Sequence, residues 1–508
     1  MIASHQALGR RLAALGEALD LRAALRPRGS VIEVGDGVAR VAGLDGVGFE
    51  ELVAFDSGAL GLAYDLAAQH TGVVLLAGAG EVRAGEGVVA TGHPPEVPVG
   101  PALLGRLVDP LGRPLDVRAT PGSAPTAAPR LPVFRPAPPL TARAPVTIPL
   151  HTGVLVVDAA IPIGRGQRQL LVGDRNVGKT ALALDFIAAQ TPGDVMSVFV
   201  VVGQPFARAL AIVETLADVG ALARTVVVAA DAGAPPGMQY LAPYAGATIA
   251  ESFAADGRHV LVVYDDLTKH ADAYRELALL LGRPPGREAY PGDIFHIHAE
   301  LLERATALAA GGSVTAIPIA ETTSSDISAY IPTNLISITD GQLYLDAARF
   351  ERNRRPAVDI GRSVSRIGGA AQTPLMRRAA RSLRLTMARF EALESLTRVG
   401  LDVDPNTKRA VERGRLVREL LCQPRLQPIP VASEILVLLA TGEGWLDGAA
   451  PAVARRALGE ALRRLGAEAP DLARALVDGR EPDGAAAEGG GWLERLRALV
   501  AECLARAS

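Results

Sequence analysis

Apolar runs alternate with helix-length segments through the middle of the chain. The runs are "RQLLVG", "SVFVVVG", "RTVVVAAD", "HVLVVYDD", "SVTAIPIAET" and "NLISITDG". Runs that are apolar on both faces are typical of parallel strands that helices cover on both sides. The pattern therefore predicts an α/β domain with a mostly parallel sheet.

The region before this domain has a different pattern. Residues 28–95 contain short segments rich in Val, Ile and Gly, such as "SVIEVGDGVARVAGL" and "TGVVLLAG". Their short, even spacing without a long helical period predicts a small all-β barrel. From His93 to Pro149 the chain is dense in proline, which cannot continue a helix or an inner strand. We therefore expect an extended connection after the barrel.

Both ends of the chain are predicted to be helical. From about Arg377 onward the pattern is helical, and Asp404 followed by Pro405 is typical of a helix start. Near the N-terminus four leucines fall on one helical face, namely Leu8, Leu12, Leu15 and Leu19. That face suits packing within its own domain or docking on a partner, and the pattern alone leaves both open.

Composition narrows the class of protein. The chain has 508 residues, is 49% apolar and carries a net charge of -3, so nothing in its bulk charge indicates a polyanion-binding protein. Its two cysteines, Cys422 and Cys503, have no metal-ligand spacing and suggest no disulfide framework, which fits a reducing, cytoplasmic compartment. No apolar stretch reaches the roughly 18 residues of a membrane span, and the N-terminus does not read as a signal peptide.

The segment "GDRNVGKT" fits the pattern G-x-x-x-x-G-K-[ST] of a phosphate-binding loop. It follows the apolar run "QLLV" and precedes the predicted helix "TALALDFI", so backbone N–H groups and the positive helix end can face phosphates. We predict that Lys179 reaches the terminal phosphates and that the Thr180 hydroxyl binds Mg²⁺. The candidate nucleotide-binding residues of the loop are Gly173, Asp174, Arg175, Asn176, Val177, Gly178, Lys179 and Thr180.

A second element for Mg²⁺ is expected at the end of another buried strand. In "HVLVVYDDLTKH" the apolar run leads into Asp265 and Asp266. Asp265 lies where the predicted strand ends, so we assign it to the metal through a water molecule. His296 and His298 in "FHIH" are two residues apart, but no third ligand lies nearby in the sequence, and we expect them to be packed or capping residues.

Four long stretches carry a family resemblance: "IPIGRGQRQLLVGDRNVGKTALALDFI", "YDDLTKHADAYRELALLLGRPPGREAYPGDIFHIHAELLERA", "SAYIPTNLISITDGQLYLD" and "VSRIGGAAQ". With them the chain resembles the alpha subunit of F-type ATP synthases over nearly its whole length, and most strongly from Val154 to Gln372. The resemblance implies a β-barrel crown, a RecA-like nucleotide domain and a C-terminal helical domain. The predicted division is an N-terminal helix, the barrel, the nucleotide domain and the helical domain, at 1–27, 28–95, 96–376 and 377–508.

The resemblance also implies cofactors and partners. These are ATP or ADP with Mg²⁺, and a ring of three alpha and three beta subunits around a central stalk gamma subunit. The N-terminal helix would dock on the peripheral stalk and its delta subunit, and the membrane sector would be reached indirectly. No nucleic acid is expected, and the implied location is peripheral, on the cytoplasmic face of the cell membrane. Whether the chain belongs to its host's main ATP synthase or to an alternate one stays open, since Asn176 and Val177 replace the usual Gln and Thr.

Gln204 decides what the phosphate loop is expected to do. Hydrolysis in this fold needs a carboxylate at the end of the strand beside the phosphate-loop strand, and after "SVFVVVG" the chain supplies Gln204. An amide can hydrogen-bond a water molecule but cannot take its proton at neutral pH. The family's catalytic beta subunits carry a glutamate in the corresponding "GER", whereas alpha subunits read "GQ". The site is therefore expected to bind nucleotide with little or no turnover.

The resemblance assigns roles to residues outside the loop. Arg366 in "GRSVSRIGG" matches the family's trans-acting arginine, which would stabilise phosphoryl charge in the neighbouring beta subunit. Ser363 lies in the same segment and is expected to orient it. Gln423 in "CQPRLQP" matches one glutamine of the "QKQ" that contacts adenine in the family. Arg425 stands in place of the second glutamine, which puts the base pocket in question.

Two other functions would fit the same fold. A self-sufficient homohexameric ATPase, such as a protein-export motor, would require the glutamate that Gln204 replaces. An RNA-translocating hexamer of the termination-factor type would need an RNA-binding crown, whereas "GVGFEELVAFDSG" is acidic and has no interleaved aromatic and basic residues. ATPase activity of the purified chain tests the first alternative, and an RNA-binding assay tests the second.

Overall fold

The structure, a computed structural model, describes residues 26–116, 128–191, 193–398, 405–482 and 491–507. All but the last two residues of the predicted N-terminal helix, including its leucine face, lie outside these ranges. Asp404 also lies outside them, and a described helix begins at Pro405. None of the described helices is long and apolar enough to cross a membrane.

The first described domain is a closed antiparallel barrel. Its strands are β1 (Arg28–Gly35), β2 (Val38–Ala42), β3 (Leu52–Phe55), β4 (Leu60–Leu66), β5 (Thr71–Ala77) and β6 (Gly87–Ala90). They close in the order β1-β2-β5-β4-β3-β6. Inward-facing residues such as Val41, Val53, Val73 and Val88 are fully buried and fill the interior, as expected for a barrel of this size. The barrel that the sequence predicts is confirmed.

Fourteen further strands are found in the described residues after the barrel. They are β7 (Glu96–Pro98), β8 (Leu107–Val108), β9 (Arg130–Pro132), β10 (Arg143–Ala144), β11 (Pro149–Leu150), β12 (Ile163–Gly164), β13 (Leu170–Asp174), β14 (Val195–Val202), β15 (Thr225–Ala230), β16 (His259–Asp265), β17 (Ala307–Leu308), β18 (Ser313–Thr322), β19 (Gly341–Leu345) and β20 (Val364–Ser365). The main sheet has the order β20-β19-β13-β18-β16-β14-β15-β8. Its neighbouring strands are parallel, except that β19 and β20 are antiparallel.

Helices cover both faces of this sheet. The described residues of this part of the chain form eight α-helices: α1 (Leu155–Ala160), α2 (Lys179–Ala189), α3 (Phe206–Asp218), α4 (Pro236–Ala255), α5 (Leu267–Leu280), α6 (Ile294–Glu303), α7 (Tyr330–Ile338) and α8 (Ala347–Glu351). Successive residues of β14 enter two different cores. Phe199 belongs to the core that contains α2 and α3, while Val198 and Val200 belong to the core that contains α4 and α5. This explains why the strand is apolar without alternation.

The C-terminal part of the chain is helical. It consists of α9 (Pro374–Ala380), α10 (Leu383–Arg398), α11 (Pro405–Leu420), α12 (Val431–Gly442), α13 (Pro451–Glu468), α14 (Pro470–Asp478) and α15 (Gly491–Ala507). Their buried residues, among them Phe390, Val417 and Leu436, continue the core that contains α2 and α3. The helical region therefore packs on one side of the α/β domain. The predicted fold class is confirmed, but the strand prediction for "NLISITDG" is wrong, because residues 334–338 form the end of α7 and the strand β19 begins only at Gly341.

Candidate functional site

A cavity of about 520 Å³ lies at the carboxyl edge of the main sheet. Residues at or just after the ends of three parallel strands line it: Gln204 after β14, Asp265 at the end of β16 and Glu321 near the end of β18. Ligands of open α/β sheets bind at this edge, because loops and helix N-termini converge there. Its volume suits a small-molecule ligand.

The phosphate loop forms one wall of this cavity, between β13 and α2. A side chain at Gly173 would lie 2.5 Å from the carbonyl oxygen of Leu345, and Gly178 has a φ of 97°, so both positions need glycine. Lys179 is buried, and its Nζ donates to the carbonyl oxygens of Gly173 at 2.8 Å and Asp174 at 2.7 Å. The ammonium group is thus held across the loop that would receive the phosphates.

Not every loop residue lines the cavity. The described lining includes residues from Arg175 to Thr180. The carboxylate of Asp174 instead accepts hydrogen bonds from Thr322 Oγ1 at 2.5 Å and from Ser325 N at 2.8 Å. Asp174 therefore ties the loop to the segment after β18. Its carboxylate is not directed at a nucleotide.

The two residues assigned to Mg²⁺ are in direct contact. Thr180 Oγ1 donates to Asp265 Oδ2 at 2.8 Å, and Asp265 is almost fully buried. Burial raises the pKa of Asp265. Burial and the charge of Asp265 together raise the pKa of Asp266 to about 8. A hydroxyl and a carboxylate are the hard oxygen donors that Mg²⁺ prefers, and a cation here would offset the buried negative charge. The residues present fit this metal.

Gln204 follows β14 and reaches the same group. Its Nε2 donates to the carbonyl oxygen of Asp265 at 3.2 Å. The sequence analysis placed its strand beside the phosphate-loop strand, and this is wrong, because β18 and β16 lie between β13 and β14. A helical crossover can carry the chain past intervening strands, as α2 does between β13 and β14. Gln204 nevertheless lines the cavity, because all these strands end at one edge.

One of the two strands beside β13, β18, supplies a carboxylate that no local motif identifies. Glu321, near the end of β18, lines the cavity. Its charge acts on Lys179, where it opposes the lowering of the lysine pKa that burial causes. The sequence signal was present, since Glu321 ends the apolar run "SVTAIPIAET". It could be recognised only from the position of that run in the sheet.

The far end of the cavity is built from the α11–α12 connection. Gln423 and Arg425 both line it. The Nε2 of Gln423 donates to the carbonyl oxygens of Gly153 at 2.7 Å and Gln427 at 2.8 Å, and its Oε1 accepts from Leu155 N at 3.4 Å. Gln423 thus fastens the connection to the start of α1.

Three further residues at this end were missed from the sequence. Asp185 on α2 accepts a hydrogen bond from Leu426 N at 2.6 Å, and burial raises its pKa to about 6. Arg355 lies over the ring of Phe350 at 4.4 Å, and all three residues line the cavity. They come from segments that are far apart in the sequence and match no local motif.

Arg366 lies away from the cavity. Its backbone N–H donates to the carbonyl oxygen of Asp340, immediately before β19 begins, whereas Leu345 at the end of β19 lines the cavity. Five residues of extended strand separate these points by about 16 Å. The Arg366 guanidinium is exposed and donates to the carbonyl oxygens of Thr339 at 3.1 Å and Ile336 at 3.4 Å.

Ser363 is buried and bonded to the sheet. Its Oγ accepts from the backbone N–H of Tyr344 at 3.0 Å. Within the described residues no hydrogen bond joins its side chain to Arg366. Its effect on Arg366 would therefore pass through the position of the 363–366 segment.

The two histidines of "FHIH" lie in different environments. His296 is exposed, whereas His298 is fully buried with its Nε2 3.3 Å from His270 Nδ1. Burial lowers the pKa of His270 to about 4 and that of His298 well below its usual value. His298 is thus a packed residue. Among the described residues no group of three or more His, Cys, Asp or Glu side chains is arranged to hold a metal ion by itself.

Comparison with known families matches two parts of the chain. Residues 153–365 match the ATP synthase alpha/beta family, nucleotide-binding domain. Residues 372–488 match the ATP synthase alpha/beta chain, C terminal domain. The first match includes the phosphate loop, Asp265 and Glu321, and the second includes the connection with Gln423 and Arg425.

Similar curated proteins are found in several bacteria. The chain is 50% identical to ATP synthase subunit alpha 2 of Albidiferax ferrireducens over 460 residues, covering 89% of this chain and 85% of the relative. It is 51% identical to the protein of the same name from Polaromonas naphthalenivorans over 448 residues, covering 87% and 85%. For the namesake in Syntrophotalea carbinolica the identity is 52% over 423 residues, covering 82% and 80%.

Proposed function

The chain belongs to the ATP synthase alpha-subunit family, and on that basis we propose that it is the nucleotide-binding, non-catalytic alpha subunit of a rotary, ion-translocating ATP synthase. In this assembly it alternates with beta subunits around a gamma subunit. It docks on the peripheral stalk and its delta subunit, and it works at the cytoplasmic face of the cell membrane. Its own site holds ATP or ADP with Mg²⁺.

Nucleotide binding is supported by the construction of the cavity. Lys179 lies across the loop, and the N-terminus of α2 faces the same space, so the triphosphate would meet both an ammonium and backbone N–H groups. Thr180 and Asp265 would hold Mg²⁺, Asp265 through a water molecule. The bound metal would neutralise phosphate charge. This chain's residues would fix the position and orientation of the nucleotide.

The observation that carries the non-catalytic assignment is the placement of Gln204. Its amide lies at the carboxyl edge of the sheet, and its Nε2 donates to the carbonyl oxygen of Asp265. A catalytic base at this position would have to remove a proton from the attacking water. An amide can position that water but cannot take its proton. Glu321 is a further carboxylate in the lining of the cavity, and the experiment tests it as a base.

A role for Arg366 in a neighbouring subunit is supported by its position. The guanidinium is exposed and, in the described part of the chain, has no carboxylate within ion-pair distance. It lies near the start of β19, while this chain's cavity lies at the strand ends. This placement supports a role for Arg366 at a phosphate held by another chain, where it would stabilise charge in the transition state.

The test uses the purified full-length chain. Calorimetry is expected to show Mg-ATP binding that Lys179→Ala weakens, while a phosphate-release assay shows no appreciable turnover. Adding beta and gamma subunits is then expected to produce turnover that depends on Arg366. If the chain alone hydrolyses ATP at the rate of the assembled complex, the assignment is wrong. Loss of that activity in Glu321→Gln would then identify Glu321 as the base.

A further inference from the structure

The base end is the end of the cavity formed by the α11–α12 connection, opposite the phosphate loop. Its chemistry differs from that of a site that recognises adenine through glutamine amides. Gln423 is the glutamine that remains, and its Nε2 already donates to two carbonyl oxygens, those of Gly153 and Gln427. Its Oε1 accepts from Leu155 N. Both ends of the amide are thus engaged in holding the α11–α12 connection, which leaves other residues to meet the base.

Arg425 supplies a cation at this end of the cavity that has no hydrogen-bond or ion-pair partner among the residues that the structure describes. It is exposed and lines the cavity. Within the described ranges its guanidinium makes no hydrogen bond or ion pair, although its charge acts on Asp185. Five N–H donors are therefore available to a ligand. Arg355, which also lines the cavity, is stacked on Phe350 instead.

Asp185 supplies an acceptor beside Arg425. It lies six residues after Lys179 on α2, about 9 Å along the helix axis, at the end of the cavity opposite the phosphate loop. Its Oδ1 accepts from Leu426 N, the residue after Arg425, at 2.6 Å. Its Oδ2 receives no hydrogen bond from the described residues. The base end thus presents one set of donors and one acceptor next to each other.

This pairing suits guanine better than adenine. The edge of guanine with O6 and N7 offers two acceptors, which arginine can meet with two hydrogen bonds. The same edge of adenine offers the N7 acceptor and the N6 donor, which a glutamine or asparagine amide can meet with two hydrogen bonds. The N1–H and N2–H₂ groups of guanine are donors that a carboxylate such as Asp185 can accept.

We propose that Arg425 and Asp185 read the purine in this site, and that the chain binds guanine nucleotides at least as tightly as adenine nucleotides. The proposal rests on the nucleotide-binding function proposed above, and it specifies the ligand of that same site. Gln423 is then a positioning residue for the connection, and Arg425 is a specificity-determining residue.

The test compares the dissociation constants of Mg-ATP, Mg-GTP and Mg-ITP for the full-length chain. Wild-type protein is expected to bind GTP at least as tightly as ATP. Arg425→Gln is expected to shift the ratio of the constants toward ATP by about tenfold, since one two-bond base contact contributes about 1–3 kcal/mol of discrimination. ITP, which keeps O6 and N7, is expected to weaken together with GTP in this variant. Asp185→Asn is expected to weaken GTP more than ATP.

Arg463→Gln is the matched control, because Arg463 is an exposed arginine of α13 outside the cavity. It is expected to leave all three constants unchanged. Wild-type binding of ATP more than threefold tighter than GTP, or a ratio that Arg425→Gln does not change, would overturn the base assignment while leaving the nucleotide site intact. If no nucleotide binds the wild-type chain, the proposed function itself fails.

Discussion

The nucleotide cavity and the Arg366 segment lie at opposite ends of the strands of one sheet. In the cavity Lys179 and Asp265 are buried and have hydrogen-bond partners within the chain: Lys179 donates to loop carbonyls, and Asp265 accepts from Thr180. Arg366 is exposed and bonded only to backbone carbonyls. The cavity is complete within the chain, whereas Arg366 has no partner of opposite charge in the described part of it. The difference is consistent with the proposal that one end of the sheet holds this chain's ligand and that the other end offers a cation to a neighbouring subunit.

The mutation with the largest expected effect distinguishes the role of Arg366 from the role of the cavity. Arg366→Ala in a ring reconstituted with beta and gamma subunits is expected to lower steady-state ATP hydrolysis by about 10³-fold or more, because the developing phosphoryl charge loses its guanidinium. Mg-ATP affinity of the isolated chain is expected to stay within twofold. Arg366→Lys should give an intermediate rate, since it keeps the charge but loses the planar set of donors.

The measurements are steady-state phosphate release by the ring and calorimetry on the chain. Arg409→Ala, an exposed arginine on α11, serves as the control. If Arg366→Ala instead weakens nucleotide binding by the isolated chain, the two regions are not separate.

Lys179→Ala is expected to have the opposite effect. Losing charge-assisted hydrogen bonds to the phosphates costs about 1.5–3 kcal/mol, so Mg-ATP affinity of the isolated chain should fall roughly 10- to 100-fold. Turnover of the ring should fall much less than in Arg366→Ala. Calorimetry and phosphate release measure both, with exposed Lys408→Ala as the control. A catalytically dead Lys179→Ala ring beside an active Arg366→Ala ring would show that this chain holds the working site.

A third prediction concerns how the free energy of unfolding depends on pH. Glu434 on α12 is fully buried, and neither of its carboxyl oxygens accepts a hydrogen bond from the described residues. Burial and the neighbouring carboxyl of Asp158 on α1 raise the pKa of Glu434 well above its usual value. A protonated Glu434 can donate to Asp158, which itself accepts from Thr152 and Gly153. The raised pKa favours the protonated form of Glu434 where α12 meets α1.

The sign of the pH effect follows from this raised pKa. The folded chain keeps a proton that the unfolded chain releases, so the contribution is complete below the unfolded pKa of Glu434. It is lost as pH rises toward the folded pKa, by up to about 1.4 kcal/mol per pH unit. Denaturant unfolding from pH 5 to 8 should show this loss in the wild type. Glu434→Gln, which keeps a donor for Asp158, should show a smaller slope, and equal slopes would contradict the prediction.

The mutation with the smallest expected effect is Glu321→Gln. It tests whether Glu321 acts as a catalytic base in the cavity, or whether the site is non-catalytic because Gln204 stands in place of a carboxylate. Glu321→Gln is expected to change ring turnover by less than about twofold, because the catalytic base is proposed to lie in the beta subunit. Phosphate release by the variant ring, normalised to its subunit content, measures this. If Glu321→Gln lowered turnover as much as Arg366→Ala does, the cavity of this chain would itself be a catalytic site, which contradicts the prediction.

The phosphate loop could be predicted from the sequence because its chemistry is local. Eight consecutive residues supply the turn, the ammonium and the hydroxyl, and the flanking run and helix follow the same pattern. Asp265 could be predicted for a similar reason, since an apolar strand that leads into a carboxylate ends at the sheet edge. Gln204 lies at that edge too, although the strand before it is not a neighbour of β13.

The base end could not be predicted in this way. Asp185, the pair Phe350 and Arg355, and Arg425 line one cavity from three separate segments, and no periodicity or spacing joins these segments. Glu321 was visible as the end of an apolar run, but only the order of strands places it beside the loop. Ser363 was expected to orient Arg366, yet its hydroxyl is bonded to the backbone of Tyr344.

The sequence by itself determined the barrel, the parallel sheet with its two buried faces, the helical C-terminal region and the phosphate loop. Each of these is encoded in local spacing of apolar residues, glycine and proline, which acts within one element or one turn. Only the tertiary structure decided that β18 and β16 separate β13 from β14, that Arg366 lies about 16 Å of strand away from the cavity, and that Arg425 and Asp185 meet at the base end. The physical reason is that the order of strands in the sheet depends on how the crossover connections run, and that the loops lining one cavity are brought together by packing between segments distant in the sequence.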